Sequence, residues 1–170
     1  MNLAVSFSIM QCLHNLGRPE ISAGMLIYRH IGASNDQSDC DYEYLLLKNN
    51  HGKWGPPKGH IEPNEASLLQ TAIREIREES GLTSNDYRVI EEFEPMSIQY
   101  RLKWGVLKTV TFFLAELTNH EAAIQISHEH RDSTWMRSAD AIQATATYHK
   151  FHEIIVKADE FIRAAAGNQE

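Results

Sequence analysis

The sequence predicts a mixed α/β sandwich, of the α/β or α+β class, in which helices flank a central mixed sheet. Three observations predict this fold. Apolar runs with the length of strands occur in two groups, before residue 49 and between residues 87 and 117. One amphipathic helix separates the two groups, and a second helical region follows them. Strands interrupted by a helix and followed by further helices are typical of layered α/β architectures.

The predicted strands are bounded by segments rich in Gly, Asn, Asp and Pro. A polar loop over residues 32–41 joins the first two strands and predicts a hairpin. A tight turn at Trp104–Gly105 joins two later strands. The predicted strands are residues 21–30, 42–48, 87–93, 96–104 and 107–117, with short strands at 124–126 and 135–136.

The central helix has a clear beginning and a clear end. Ser67 and Gln70 form a capping box, and Gly81 is the expected glycine after the last turn. Its apolar residues recur at i, i+3, i+4 and i+7 and predict one buried face, formed by Leu69, Ala72, Ile73 and Ile76. At the end of the chain, we expect a short helix near residue 141. A longer helix from about residue 149 to 165 should bury Phe151, Ile154, Ala158, Phe161 and Ile162.

Composition restricts the possible functions. The chain has 170 residues, 42% of them hydrophobic, and a formal charge of −7. No apolar run approaches the ~18 residues of a membrane-spanning helix, and the acidic balance argues against a stable nucleic-acid partner. Cys12 and Cys40 have neither disulfide nor metal-site spacing. We therefore expect a cytoplasmic protein without membrane association, and a monomer is the simplest expectation.

The domain organisation is predicted to be simple. Residues 1–20 lack the basic region and cleavage site of a secretory signal and are expected to form an N-terminal extension. Residues 21–166 should form a single domain, and residues 167–170 a short C-terminal tail.

The central helix carries an unusual acidic stripe. Glu75, Glu78 and Glu79 share one turn, where like charges repel and the helix dipole disfavours anions. Taken alone, the stripe indicates a solvated face with Arg74 and Arg77 as partners. A divalent cation is the alternative, because Mg²⁺ binds carboxylate oxygens together with substrate phosphates. In either case we expect the stripe to point away from the apolar face of the helix.

The residues around this helix favour the cation. Gly59 is followed after five residues by Glu65 and, after eight more, by Arg74–Leu82 (REIREESGL). This pattern resembles the Nudix hydrolase signature, in which seven residues separate the corresponding Glu and Arg. The resemblance implies a Nudix-type α/β/α sandwich with a mixed sheet and a metal-dependent hydrolase activity. The extra residue leaves open whether Glu65 reaches Arg74 in the salt bridge that the family pattern implies.

Further segments are similar to one group within this family, the animal-type asymmetrical dinucleoside tetraphosphate hydrolases. They are Trp54–His60 (WGPPKGH), Lys108–Val110 (KTV), Phe113–Glu116 (FLAE) and Ile126–His130 (ISHEH). The similarity implies a substrate such as diadenosine tetraphosphate, cut by water into ATP and AMP. An RNA 5′ cap or a nucleoside triphosphate is the alternative substrate, and a nucleotide-binding module with little catalysis is the alternative function.

The resemblance also implies roles for individual residues. The implied metal ligands, for Mg²⁺ or alternatively Mn²⁺, are Glu75, Glu78, Glu79 and Glu129. Glu79, Glu129 and Glu75 are the implied catalytic residues, with Glu129 acting either as a ligand or as the general base. Lys58 and Lys108 would hold phosphates. Tyr100 would contact a nucleobase, although core packing is a competing interpretation of this ring.

Two departures from the group pattern bear on substrate preference. Lys53 stands where the group has His before Trp54, and His51 lies two residues earlier as a possible substitute. Phe112 stands where the group has Tyr, and a phenyl ring can stack on a base but cannot donate a hydrogen bond to phosphate. Lys53, His51 and Phe112 are therefore additional candidates for substrate binding. A zinc site at His128 and His130 is disfavoured because no cysteine accompanies them.

Overall fold

The computed structural model describes residues 19–31, 42–148 and 150–167. Within these residues the chain forms eight strands and three helices. The strands are β1 (Glu20–His30), β2 (Tyr42–Asn49), β3 (Trp54–Gly55), β4 (Lys58–His60), β5 (Tyr87–Val89), β6 (Met96–Arg101), β7 (Leu107–Leu117) and β8 (His130–Arg137). The helices are α1 (Leu68–Ser80), α2 (Ser138–Thr145) and α3 (Phe151–Gly167). No helix in the described part of the chain is both long and apolar enough to cross a membrane.

The strands form one mixed sheet, as predicted. The path through the sheet is β3-β2-β1-β7-β5, while β4 pairs with β1, β6 with β7 and β8 with β2. The pairing of β1 with β7 is parallel and the other pairings are antiparallel. The parallel pair is the centre of the fold, because the strands that carry the candidate site residues are attached to it.

Successive residues of the central strands face two different cores. On β1, Met25 and Ile27 pack in the core beneath α1. Leu26 and Tyr28 instead contact the core formed with α2 and α3. This alternation is what the two-residue period of a strand requires when both faces of a sheet are covered. The arrangement confirms the predicted sandwich of helices on both sides of a mixed sheet.

Helix α1 begins and ends where the sequence predicts. The Ser67 hydroxyl accepts a hydrogen bond from the backbone N–H of Gln70 at 3.2 Å. Gly81 follows the helix with φ +77°, a left-handed conformation that favours glycine. Ala72 and Ile76 are fully buried on the predicted apolar face, with Leu69 and Ile73 partly buried.

The predicted strand over residues 124–126 is wrong, because this segment bonds to a helix and not to the sheet. The backbone N–H of Gln125 donates to the carbonyl of Ser80 at 2.8 Å, and that of Ser127 donates to Glu79 at 3.3 Å. The segment thereby satisfies carbonyl groups that the end of a helix leaves unpaired.

Other boundaries also differ from the prediction. The strand predicted over 87–93 ends at Val89, and a turn follows. The strand predicted to reach residue 104 ends at Arg101, before a single 3₁₀ turn. The short strand predicted at 135–136 is the eight-residue β8, which pairs along most of β2. The predicted extension over residues 1–20 (apart from Pro19 and Glu20), the 32–41 loop and most of the 167–170 tail lie outside the described residues.

Replacing Gly81 with Ala tests how the end of α1 is joined to the 124–127 segment. The alanine would have to keep the positive φ of Gly81, which is strained for a residue with a Cβ. Its Cβ would also lie 2.9 Å from the Cβ of Gln125. We expect a loss of about 2–3 kcal/mol in the free energy of unfolding, measured by urea denaturation.

Gly105→Ala is the matched control. Gly105 has φ +78°, yet an added Cβ would meet nothing within 4 Å. This variant should lose only about 1 kcal/mol, the cost of the backbone conformation alone. Equal losses in the two variants would contradict the proposed contact with Gln125.

Candidate functional site

A cleft of about 690 Å³ opens between α1, β4, the turn after β2 and the turn before β8. It is rich in ionisable side chains. Its lining includes Lys58, His60, Glu62, Arg74, Glu75, Glu78, Glu79, Lys108, His128, Glu129 and His130, together with Ser22, Gly59 and the Asn49–His51 segment. The structure therefore brings together seven of the predicted site residues: the four glutamates, two lysines and His51.

The guanidinium of Arg74 organises the acidic stripe. It donates to Glu75 at 2.7 Å, to Glu78 at 2.9 Å and to the carbonyl of His60 at 2.7 Å. It also donates to Glu65 at 2.8 Å, so the salt bridge that the extra loop residue left open is formed. These contacts raise the pKa of Arg74, and the bond from Arg74 lowers the pKa of Glu65 to about 2. Arg74 thus connects α1 to the loop that precedes it.

The acidic stripe faces the cleft, away from the apolar face of the helix as predicted, but it is not a fully solvated face. Glu75 and Glu79 are 8% and 6% exposed, whereas the Glu78 side chain is 57% exposed. Two features of β4 cover the buried pair. The backbone N–H of Lys58 donates to Glu79 at 2.8 Å, and Gly59 packs so closely on Glu75 that an added Cβ would overlap its carboxyl group. The glycine of the sequence motif is required by this close approach.

Burial changes the acidity of these two carboxyl groups. Burial raises the pKa of Glu79 to about 7, although the charge of Lys58 and the backbone bond from Lys58 oppose the shift. The pKa of Glu75 is also raised by burial, against the opposing effect of Arg74. The nearby charge of Glu129 raises the pKa of Glu79 further. Without a cation, the ionised form of this cluster is therefore costly.

Glu129 reaches the cleft because its turn is anchored on two sides. The chain before it is bonded to the end of α1 through the N–H of Ser127. The turn after β2 contacts it from the other side, where the Asn50 side chain donates to the carbonyl of His128 at 3.2 Å and Arg131 donates to the carbonyl of Asn50. Glu129 is exposed at the mouth of the cleft.

His130 is a site residue for which the sequence analysis gave no role. Its ring is 8% exposed, and its Nε2 lies 3.9 Å from Oε1 of Glu79. Burial and the charge of Lys58 lower its pKa, which favours a neutral imidazole beside the carboxyl group. In the sequence, the ISHEH segment was the signal that could have pointed to His130. Only the burial of the ring beside Glu79 shows that it turns inward.

The two cleft lysines differ in their surroundings. The Lys58 ammonium lies 5.9 Å from the centre of the Phe151 ring. The Lys108 ammonium contacts Glu20 at 3.3 Å and His60 at 3.0 Å, and burial lowers its pKa. Together with Arg74, these lysines place positive charge beside the glutamates of the cleft.

Three other predicted residues lie outside the cleft lining. Phe112 is fully buried and packs edge-to-face on Phe151 with ring centres 5.6 Å apart, so it offers no surface to a base. Tyr100 is partly buried against the same core, and burial raises its pKa to about 12. Lys53 is exposed, and its backbone N–H donates to the Asn49 side chain. Core packing accounts for Phe112, and we do not include it among the substrate-binding residues.

The donor set suits a hard divalent cation, although its groups are not yet arranged around one. Among the described residues no three acidic, imidazole or thiol groups converge into a ready metal site. The hydrogen bonds above use one oxygen each of Glu75, Glu78 and Glu79. The second oxygen of each carboxylate is of the type that Mg²⁺ and Mn²⁺ bind.

Comparison with known proteins identifies the family to which the sequence is similar. A protein-family model described as the NUDIX domain matches residues 31–158. The asymmetrical bis(5′-nucleosyl)-tetraphosphatase of Sus scrofa is 34% identical over 126 residues, which are 73% of this chain and 83% of that protein. The Caenorhabditis elegans protein of the same name is 34% identical over 143 residues, 83% of this chain and 95% of that protein.

A solved structure supports the same relationship. The crystal structure of a C. elegans Ap4A hydrolase binary complex superimposes with a TM-score of 0.74 at 33% identity. The match covers 85% of this chain and 98% of that chain. The similarity therefore extends over nearly all of the fold described above.

Replacing Glu79 with Gln tests whether its buried charge is costly. The folded state binds the Glu79 proton more tightly than the unfolded chain, whose pKa is near 4.5. In chelator, this group should therefore lower the free energy of unfolding as the pH rises from 4.5 through about 7. The glutamine variant should be more stable at pH 8 by roughly 1–3 kcal/mol and show a smaller gain at pH 5, as measured by chemical denaturation.

Glu78→Gln is the control for that experiment. The Glu78 side chain is 57% exposed on the same helix turn, so its change in stability should stay below about 1 kcal/mol at both pH values. A Glu79→Gln protein less stable than the parent at pH 8 in chelator would contradict this account.

Proposed function

The chain belongs to the Nudix family, and we propose that it is a Mg²⁺-dependent hydrolase of dinucleoside polyphosphates. In the proposed reaction, water attacks one phosphorus of diadenosine tetraphosphate. One bridging P–O bond breaks, and the products are ATP and AMP. The observation that carries the proposal is the convergence of Glu75, Glu78, Glu79 and Glu129 with Lys58 and Lys108 on one cleft. Two relatives that are 34% identical, and that the match covers over 83% and 95% of their length, are named asymmetrical bis(5′-nucleosyl)-tetraphosphatases.

The proposed metal ligands are the four glutamates, with Mg²⁺ preferred and Mn²⁺ as an alternative. A divalent cation held there would neutralise phosphate charge and lower the pKa of an attacking water. The protein itself supplies orientation and charge, which is most of what phosphoryl transfer requires. Arg74 serves as a positioning residue, because it holds the carboxyl groups of Glu75 and Glu78 in place.

The remaining polar residues have distinct proposed roles. Glu79, Glu75 and Glu129 are the proposed catalytic carboxylates. Glu129 is suited to accept the proton of water, since it lines the cleft and is exposed there. Lys58 and Lys108 attract the polyphosphate as point charges.

Nucleobase contact is proposed for Tyr100, whose ring is only partly buried. His51 lines the cleft and is a further candidate for substrate contact, whereas Lys53 would act through its charge near the entrance. We also propose that the protein is cytoplasmic and monomeric. Localisation of a tagged protein tests the first property, and gel filtration tests the second.

Incubation with diadenosine tetraphosphate and Mg²⁺, followed by anion-exchange separation, tests the reaction. We expect ATP and AMP in equal amounts and no activity in chelator. The Glu79→Gln variant should lose at least ~100-fold in kcat, because an altered metal ligand or catalytic carboxylate removes both charge and orientation.

A substrate panel separates the alternatives in the same assay. Two molecules of ADP would contradict the asymmetrical cut. Faster hydrolysis of a capped RNA or a nucleoside triphosphate would move the assignment to another substrate of the same site. Tight nucleotide binding without product would indicate a binding module.

A further inference from the structure

Glu20, at the start of β1, places a carboxylate beside Lys108 and His60, two residues that line the cleft. Its Oε2 lies 2.8 Å from Nε2 of His60 and 3.3 Å from the ammonium of Lys108. The pairing of β1 with both β4 and β7 produces this contact, because Glu20 is the register partner of Lys108 while Ser22 is that of His60. The three residues are 40 to 88 positions apart in the chain, so only the sheet brings them together.

The contacts among these three groups cannot all be hydrogen bonds. The Nε2 atom of His60 lies 2.8 Å from the Glu20 carboxylate and 3.0 Å from the Lys108 ammonium. If Nε2 carries a proton, it donates to Glu20, and Lys108 then faces a second donor. If Nε2 carries a lone pair, it accepts from Lys108 and then faces the carboxylate oxygen. Either the contact of His60 with Glu20 or its contact with Lys108 is therefore unfavourable.

The charges around Lys108 point in the same direction. Burial and the nearby charge of Lys58 both disfavour its ammonium form, and Glu20 offsets them, with a smaller contribution from Glu75. A phosphate oxygen would accept from Lys108 and leave Nε2 of His60 free to donate to Glu20. Binding of a polyphosphate would thus give Lys108 an acceptor and leave His60 as the donor to Glu20.

We propose that Glu20 is a specificity-determining residue, a counter-ion that the polyphosphate displaces from Lys108 and that limits the affinity of the cleft for longer, more highly charged chains. This inference rests on the proposed function of the same cleft. An anion next to the phosphate site repels the substrate, and the repulsion grows with each added phosphate. Glu20 therefore weakens binding and favours release of the anionic products.

The Glu20→Gln variant tests the proposal through KM and kcat measured separately for dinucleoside tri-, tetra- and pentaphosphates. We expect KM to fall by about two- to fivefold for the tetraphosphate at low salt, a range set by the modest strength of partly exposed ion pairs. The decrease should be smaller for the triphosphate and larger for the pentaphosphate. It should shrink as salt is added, and kcat should not rise.

Glu116→Gln is the matched control. Glu116 also lies on a central strand and also contacts a basic side chain and a histidine, Arg88 at 2.6 Å and His30 at 3.6 Å, but at the other end of the sheet. It changes the net charge by the same amount, and we expect its KM to equal that of the parent. Thermal unfolding of both variants verifies that the fold is retained.

A binding measurement separates this inference from the proposed function. Calorimetric titration with inorganic tripolyphosphate requires no hydrolysis, so tighter binding by Glu20→Gln supports the inference even if diadenosine tetraphosphate is not cleaved. In a Lys108→Met background the effect of Glu20→Gln should be smaller than in the parent protein, because only the direct repulsion between Glu20 and phosphate then remains. Unchanged or weaker binding by Glu20→Gln, or no tripolyphosphate binding by either protein, would overturn the inference. A raised KM would show that Glu20 positions Lys108 and does not compete with phosphate.

Discussion

The candidate site depends on the hydrogen bonds that the guanidinium of Arg74 donates. It bonds at once to Glu65 in the preceding loop, to Glu75 and Glu78 on α1, and to the backbone carbonyl of His60 on β4. A planar group with five N–H donors can make this set of bonds, whereas the lysine ammonium cannot match its geometry. The position of β4 over the helix, and hence the covering of the buried glutamates, follows from these bonds.

The same arrangement stores an electrostatic cost. Glu75 and Glu79 are enclosed by Gly59 and by the backbone of Lys58, and burial raises the pKa of both. A protein optimised only for stability would not bury two carboxyl groups beside one another. A divalent cation held by these carboxylates would remove this cost, so their raised pKa values and the proposed catalytic chemistry would have a single explanation. A similar unfavourable arrangement, among Glu20, His60 and Lys108, would be relieved by a bound phosphate in place of a cation.

The sequence predicted what local signals determine. The limits of α1 followed from Ser67 and Gly81, and the family signature identified three of the glutamates that line the cleft, because each of these patterns lies within one short segment. The errors arose where distant segments decide the outcome. Residues 124–126 have strand-like composition but bond to the end of α1. Phe112 is buried because its register on β7 turns it to the α3 side of the sheet, and the contact of Glu20 with Lys108 requires β1 and β7 to be neighbours.

We propose that the carboxylates of α1 bind a divalent cation even in the absence of substrate. Titration of the substrate-free protein with Mn²⁺, followed by electron paramagnetic resonance, tests this directly, with Mg²⁺ added as a competitor. We expect saturable Mn²⁺ binding that Mg²⁺ displaces and that weakens at least ~10-fold in the Glu79→Gln variant. Equal Mn²⁺ affinity in the parent protein and this variant, or no saturable binding to the parent, would contradict it.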